Sequence, residues 1–224
     1  MTYDEYIAYH LGGDAGVEER MIASLASYFK LSRWDSFRLA YYYTTTYNIP
    51  SALKLLRNHN TPKVELKFRT DRRYVRIGDT FTRLQAQLSP KLLEQLDKAT
   101  TTTEQYNIVS SWYFFGRYAA FLFLEVWAQL SGKQITDDLV LKFEPEENYT
   151  KGAQIVAQTQ DKTVLTAFVE RAKHDTKDNV FSLETSLCAV AKLKKETRWN
   201  GYYTARLLKD IAGSEWENLI LYLL

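Results

Sequence analysis

Apolar residues recur at three- and four-residue intervals along most of the chain, which predicts helices rather than strands. Tyr3–Leu11 and Val17–Leu31 read this way, and in the second Val17, Met21, Ile22, Leu25 and Tyr28/Phe29 form one stripe. Ser32 suits the N-cap of a helix over Trp34–Tyr43. Ile49-Pro50-Ser51 opens another over Ala52–Arg57, and Ser89-Pro90 places proline in the first turn of Lys91–Lys98. Further helices are expected at Ala153–Gln158, Val164–Lys173, Leu183–Lys194, Tyr202–Ile211 and Trp216–Leu224, with Gly213 as a stop signal. Val64–Thr70 and Leu139–Phe143 alternate and predict short strands. The expectation is a mainly α protein, a single helical domain over residues 1–224, with at most a few short strands and no internal repeat.

One segment differs from the rest. Thr103, followed by Glu104, can cap a long helix that runs on through Trp112–Trp127. That run is apolar all round, which predicts a buried central helix near Ser111–Leu130 carrying Arg117 and Glu125 inside it. Tyr118–Leu124 is too short to span a bilayer, and the flanking Arg and Glu are costly there, so no membrane is expected as a partner.

Composition adds boundaries. The hydrophobic fraction of 46% and charged fraction of 25% suit a packed globular chain. Sixteen tyrosines are many; most are expected to rim the core, and surplus tyrosine also suits interfaces and ligand sites. A single cysteine excludes an internal disulfide and a cysteine-based zinc site, and suits a reducing cytoplasm. The first residues show no basic segment followed by an apolar run, so no secretory signal is read. Net charge is only +2, but it is unevenly spread. Lys54 to Arg83 holds nine Lys/Arg against three Asp/Glu, whereas Gln134 to Thr150 holds one Lys against five acids. A basic face is therefore expected.

No phosphate-binding glycine loop and no dinucleotide fingerprint is present, and no cofactor is expected. His10, His59 and His174 lack metal-ligand spacing, so no metal is expected either; a Ser–His–Asp assembly stays open without any spacing that favours it. Five groups of residues carry candidate chemistry. Arg117, Tyr118 and Glu125 either form a structural ion pair or line a cleft that receives an anion. Glu184, Cys188 and Lys192 fall four apart on one helical stripe, where Cys188 reads most simply as a small hydrophobe and Glu184 as an acid–base group. Arg198-Trp199-Asn200-Gly201-Tyr202-Tyr203, with Arg206, interleaves rings and cations that can stack bases and bind phosphate, or pack by cation–π contact at a helix start. Lys67, Arg69, Arg72 and Arg73 surround Phe68 and Tyr74 and give a nucleic-acid footprint or a solvated basic turn. Asn148-Tyr149-Thr150-Lys151-Gly152 precedes a predicted helix, where a lysine and backbone N–H groups can hold an anion, a pattern of low specificity by itself.

The ordered set Phe115-Gly116-Arg117-Tyr118 with Glu125, Lys151-Gly152, Glu184-Thr185-x-Leu187-Cys188 with Lys192, and Arg198-x-x-Gly201-Tyr202-Tyr203-x-x-Arg206 resembles the bacteriophage α-glutamyl/putrescinyl thymine pyrophosphorylases, also called amino acid:DNA transferases. It is also similar to the helical domain of 5-hydroxymethyluracil DNA kinases, although the chain shows no ATP site. The resemblance spans roughly Lys67 to Arg206. It implies a helical, DNA-glycosylase-like fold acting in the host cell cytoplasm. It implies DNA containing pyrophosphorylated 5-hydroxymethyluracil and a small amine as partners, with amine attack on the 5-methylene carbon expelling pyrophosphate.

Such chemistry needs a flipped base, with Tyr118, Trp199, Tyr202 and Tyr203 as walls and Lys67, Arg69, Arg72 and Arg73 as groove. Pyrophosphate needs cations from Arg117, Lys151, Lys192, Arg198 or Arg206. The amine needs a carboxylate base, Glu184 before Glu125. The alternatives are a non-catalytic helical DNA-binding module and a base-excising glycosylase.

Overall fold

The computed structural model describes residues 1–69 and 79–224. Among these the chain is mainly helical, as the periodicity requires. In chain order the α-helices are α1 (Tyr3–Gly12), α2 (Val17–Tyr28), α3 (Arg33–Thr46), α4 (Ile49–Arg57), α5 (Thr80–Gln87), α6 (Pro90–Lys98), α7 (Thr102–Ser110), α8 (Arg117–Leu130), α9 (Asn148–Ala157), α10 (Lys162–Thr176), α11 (Val180–Lys194), α12 (Tyr202–Ile211) and α13 (Glu217–Leu223). Side chains cap several of them. Ser32, Asn48, Asp161 and Asn179 each accept a backbone N–H of the first turn, and Thr2 and Thr101 form capping boxes with Glu5 and Glu104.

Neither predicted strand forms among the described residues. Lys63–Glu65 form a single 3-10 turn, and Phe143 is left-handed at φ 49°; side chains of residues 139–143 do alternate between inside and outside, but no strand lies alongside among the described residues. Ser51 Oγ takes both the N–H and the C=O of Lys67, each at 2.8 Å, and so satisfies the backbone groups a ladder would have used. Among the described residues the only β pairing is an isolated bridge between Thr101 and Thr136.

The long helix predicted through Trp112 is broken. α7 stops at Ser110 and α8 begins at Arg117, with Phe114 left-handed at φ 65° between them. The break lets Trp112 and Phe115 turn inward, where both are buried. Arg117 is therefore the first residue of α8, near its end instead of inside it.

The chain divides into two compact units. The first comprises Met1–Val17 and Asp137–Leu207. Its main packing is α9 against α11, with α10 on both and α1 on all three. Gly152 explains the close α9–α11 crossing: a Cβ there would lie 2.0 Å from the Leu187 carbonyl oxygen. The Lys151-Gly152 pair thus lies within α9, which starts five residues before the predicted Ala153, and the glycine serves helix contact.

The second unit comprises Glu18–Thr136 and Leu208–Leu224. α8 is fully buried from Ala119 to Trp127, in line with its apolar sequence. It packs on α3, which is buried from Ser36 to Thr46 apart from Arg38. Phe37, Trp112, Phe123 and Trp127 form the aromatic centre, with contacting ring centroids 5.2–6.3 Å apart and mostly edge to face. The tyrosines of α3 belong to this core and not to its rim. Tyr41, Tyr42 and Tyr43 are all at most 1% exposed, because each hydroxyl has a partner: the Leu84 carbonyl, His59 Nδ1 and Glu18.

The α9–α11 crossing gives a direct test. Gly152→Ala is expected to destabilise the protein by about 1–3 kcal/mol, since backbone and not a flexible side chain must move. Urea unfolding of the variant against the parent measures it; equal midpoints would disprove the close crossing.

Candidate functional site

In the first unit the residues Arg198–Arg206 form one cluster. α12 begins at Tyr202, and a right-handed helix returns Arg206 to the side of Tyr202 one turn later. The Arg198 guanidinium lies 4.0 Å and the Arg206 guanidinium 5.8 Å from the Tyr202 ring centroid. Trp199 packs edge-on against Tyr202 at 4.9 Å, and Tyr203 follows at 5.2 Å. Trp199 remains 59% exposed, and Lys194 and Lys195 are exposed just before it. The predicted rings and cations are therefore in mutual contact, with Trp199 exposed and the others half-buried.

The helix start itself is occupied. Asp14 Oδ1 accepts from the Thr204 N–H at 2.9 Å and from its hydroxyl at 2.8 Å. Asp14 Oδ2 accepts from the N–H groups of Gly201 at 3.1 Å and Tyr203 at 3.4 Å. Gly13, left-handed at φ 79°, ends α1 and turns the chain so that Asp14 can reach. This carboxylate fills the place an incoming phosphate would take. Anion binding here rests on the arginines alone. The sequence carried no signal for Asp14, whose partners lie 187–190 residues away.

The α11 stripe forms as its spacing predicts. Glu184 is buried, Cys188 and Lys192 are half-buried, and Cys188 Sγ lies 3.6 Å from Glu184 Oε1. Lys151, the remaining predicted cation of this unit, donates from Nζ to the Glu146 carbonyl at 2.8 Å. Its ammonium closes the turn that enters α9.

A Ser–His–Asp set does come together in this unit. His10 Nδ1 lies 3.0 Å from Ser186 Oγ, and His10 Nε2 lies 3.1 Å from Asp178 Oδ2. Ser186 is only 2% exposed, and its Oγ also meets the Tyr6 hydroxyl at 2.9 Å and the Leu183 carbonyl at 3.0 Å. A nucleophile must meet substrate, and this hydroxyl is enclosed by protein. Burial alone would raise the Asp178 carboxyl, but the His10 and Asn179 N–H bonds outweigh it and hold it below the usual range. The set is a buried polar clamp of α1 on α11.

In the second unit Arg117 and Tyr118 are half-buried at the start of α8, and the Arg117 guanidinium lies 5.4 Å from the Phe121 ring centroid. Glu125, two turns on, is buried. Lys67 is exposed. Arg69 is not a groove residue: its side chain is 8% exposed and pairs with Glu18 at 2.6 Å and Asp210 at 3.0 Å. The Tyr47 ring covers it at 3.7 Å. A cation so enclosed and neutralised is unavailable to a phosphate backbone. Arg72 and Arg73 lie outside the described residues.

Arg69 belongs to a cluster that sequence reading missed. Glu18 and Glu19 are both buried at the start of α2, and Tyr43 Oη lies 2.8 Å from Glu18 Oε2 and 2.9 Å from Glu19 Oε1. A phenol has one proton to donate, so two charged carboxylates cannot both be served. Burial first, and the Glu18 charge second, push the Glu19 carboxyl up to about 7. Three acids thus face one arginine, and a retained proton relieves the excess. No family model, no curated protein and no solved structure matches this chain.

Two expectations follow from these contacts. Asp14→Ala removes the acceptor for the α12 start and is expected to cost about 1–2 kcal/mol, read by urea unfolding. Glu19 is protonated in the folded chain between its ordinary value of 4.5 and about 7, where the unfolded chain has released that proton. Its contribution to stability is therefore lost as pH rises through that window. Glu19→Gln keeps an acceptor for Tyr43 and removes the titration. The fall in unfolding midpoint from about pH 5 to about pH 8 is expected to be smaller in the variant than in the parent.

Proposed function

We propose that this protein transfers an amine onto 5-(pyrophosphoryloxymethyl)uracil in DNA and releases pyrophosphate. The observation that carries the reading is the partly exposed cluster of Arg198, Trp199, Tyr202 and Arg206. It unites aromatic faces for an unstacked base with cations for phosphate, and it coincides with the last motif of the resemblance. Base–aromatic stacking is worth roughly 1–3 kcal/mol per base, enough to hold a nucleotide taken out of its helix.

In this reading the amine nitrogen bonds to the 5-methylene carbon and the carbon–oxygen bond breaks. The bonding pair leaves with pyrophosphate, and one amine proton passes to a carboxylate. Glu184 takes that proton, which requires the substrate to open the face of α11 where this carboxylate is 4% exposed. It is the buried acid of the first unit that shares the α11 stripe with Lys192, whose ammonium serves the departing charge. Arg198 and Arg206 hold the phosphates, and Tyr202 and Trp199 face the base. No helix among the described residues is long and apolar enough to cross a membrane.

The test is to incubate the protein with DNA carrying the pyrophosphorylated base and a panel of amino acids and polyamines, then to measure nucleosides by mass spectrometry. A new adduct with stoichiometric pyrophosphate is expected. Glu184→Gln is expected to lower the transfer rate by about 10²–10⁴-fold while DNA affinity and fold persist. DNA binding with no adduct from any amine would replace the proposal with a non-catalytic binding module.

A further inference from the structure

The segment between α11 and α12 holds an exposed indole on stiff backbone. α11 closes with Glu196 left-handed at φ 57°. The Glu196 N–H reaches the Leu193 carbonyl at 2.9 Å and the Thr197 N–H reaches the Lys192 carbonyl at 3.1 Å, the bond pair of a Schellman cap. Trp199, Asn200, Gly201 and Tyr202 then make a tight turn. The Tyr202 N–H meets the Trp199 carbonyl at 3.1 Å, and Gly201 at φ 87° takes the turn position that favours glycine. Asp14 holds the far side of the turn through the N–H groups of Gly201, Tyr203 and Thr204. The Trp199 ring, 59% exposed, is therefore presented by fixed backbone on both sides.

Single apolar side chains are common on protein surfaces, so the company of this one matters. From Lys194 to Arg198 three cations stand against one acid, Glu196, which is exposed and screened by solvent. Lys194 and Lys195 are exposed and make no ion pair among the described residues. Arg198 donates to the Thr197 carbonyl at 3.0 Å, and its Nε is buried without a hydrogen bond. The rings divide their roles. Tyr202, half-buried, already carries the Arg198 guanidinium at 4.0 Å, with Trp199 and Tyr203 packed edge-on beside it. Trp199 is the ring left to receive a partner. In duplex DNA both faces of each base are covered by its neighbours, and only edges and phosphates are offered. An unpaired strand offers bare base faces together with phosphates, which is what an exposed indole among cations matches.

We propose that this corner of the first unit binds single-stranded DNA in preference to duplex, with one unpaired base stacked on Trp199 and the strand's phosphates on Lys194, Lys195 and Arg198. The inference rests on the proposed function for the choice of DNA, and it adds the form in which that DNA is held.

Unmodified oligonucleotides test this, so neither the pyrophosphorylated base nor an amine enters the result. Fluorescence anisotropy of the full chain is measured with a short labelled oligothymidylate, with the same strand annealed to its complement, and with an abasic strand of equal length. The oligothymidylate is expected to bind at least about tenfold tighter than either of the others. Trp199→Ala is expected to weaken its binding by at least about fivefold and to leave the duplex and the abasic strand unaffected, while Trp199→Phe stays within about threefold of the parent. Lys194→Gln with Lys195→Gln is expected to lower the slope of log affinity against log salt by about 1.4, at about 0.7 for each single-strand phosphate. Lys162→Gln, exposed on α10, is expected to change nothing. Quenching of tryptophan emission on strand binding, lost in Trp199→Phe, reports the stack in a variant that keeps a ring, and circular-dichroism melting checks that each variant is folded. No saturable binding of the strand, equal affinity for strand and duplex, or unchanged strand binding by Trp199→Ala overturns the inference. Amine transfer that persists in any of those cases leaves the proposed function standing. Strand preference without transfer upholds the inference and removes the enzyme.

Discussion

Arg69 is buried in the second unit because its charge is answered on several sides. Glu18 and Asp210 accept its N–H groups, and the Tyr47 ring lies against its face. Removing an ion from water is among the costliest acts of folding, and only close partners offset it. This requirement organises much of the unit. α2 must present Glu18 and Glu19 inward, α3 must bring Tyr43 between them, and the segment after α4 must carry Arg69 to the interior. The Arg69 N–H to Thr46 carbonyl bond, at 3.1 Å, and the Ser51–Lys67 bonds fix that path.

The first unit answers a similar demand with different chemistry. Its helices meet where a glycine lets backbone touch backbone, at Gly152 and Leu187. Its polar interior is closed by hydroxyls and a histidine: Tyr6, His10 and Ser186, with Asp178 at the edge. The start of α12 is completed by Asp14 from the far end of the chain. Beside it Trp199 is exposed, and Arg198, Tyr202 and Arg206 are half-buried against one another. That packing of rings and cations is what directs the functional reading to Arg198, Trp199, Tyr202 and Arg206.

Local pattern was enough for most helices, because apolar spacing and capping residues act within a few positions. Ser32, Asn48 and the Pro90 start all behave as their chemistry predicts. The burial of Ala119–Trp127 and the stripe of Glu184, Cys188 and Lys192 were legible for the same reason. Alternation in residues 139–143 also told the truth about which side chains turn inward. It could not reveal that no partner strand would be there, since pairing is supplied by other parts of the chain. The mainly α class therefore followed from the amino-acid order, while the absence of a sheet among the described residues did not.

What the tertiary structure alone decided concerns polar groups whose partners are distant. A tyrosine-rich helix looks like a rim until Leu84, His59 and Glu18 are seen to take its hydroxyls. Arg69 looks like a surface cation until Glu18, 51 residues earlier, and Asp210, 141 residues later, enclose it. Asp14 carries no motif at all, yet it caps the start of α12. Periodicity reports which side of a helix is apolar, a property of neighbouring residues. Burial of a charge or hydroxyl depends on a partner that the fold delivers from elsewhere, so it is decided only when the chain has closed on itself.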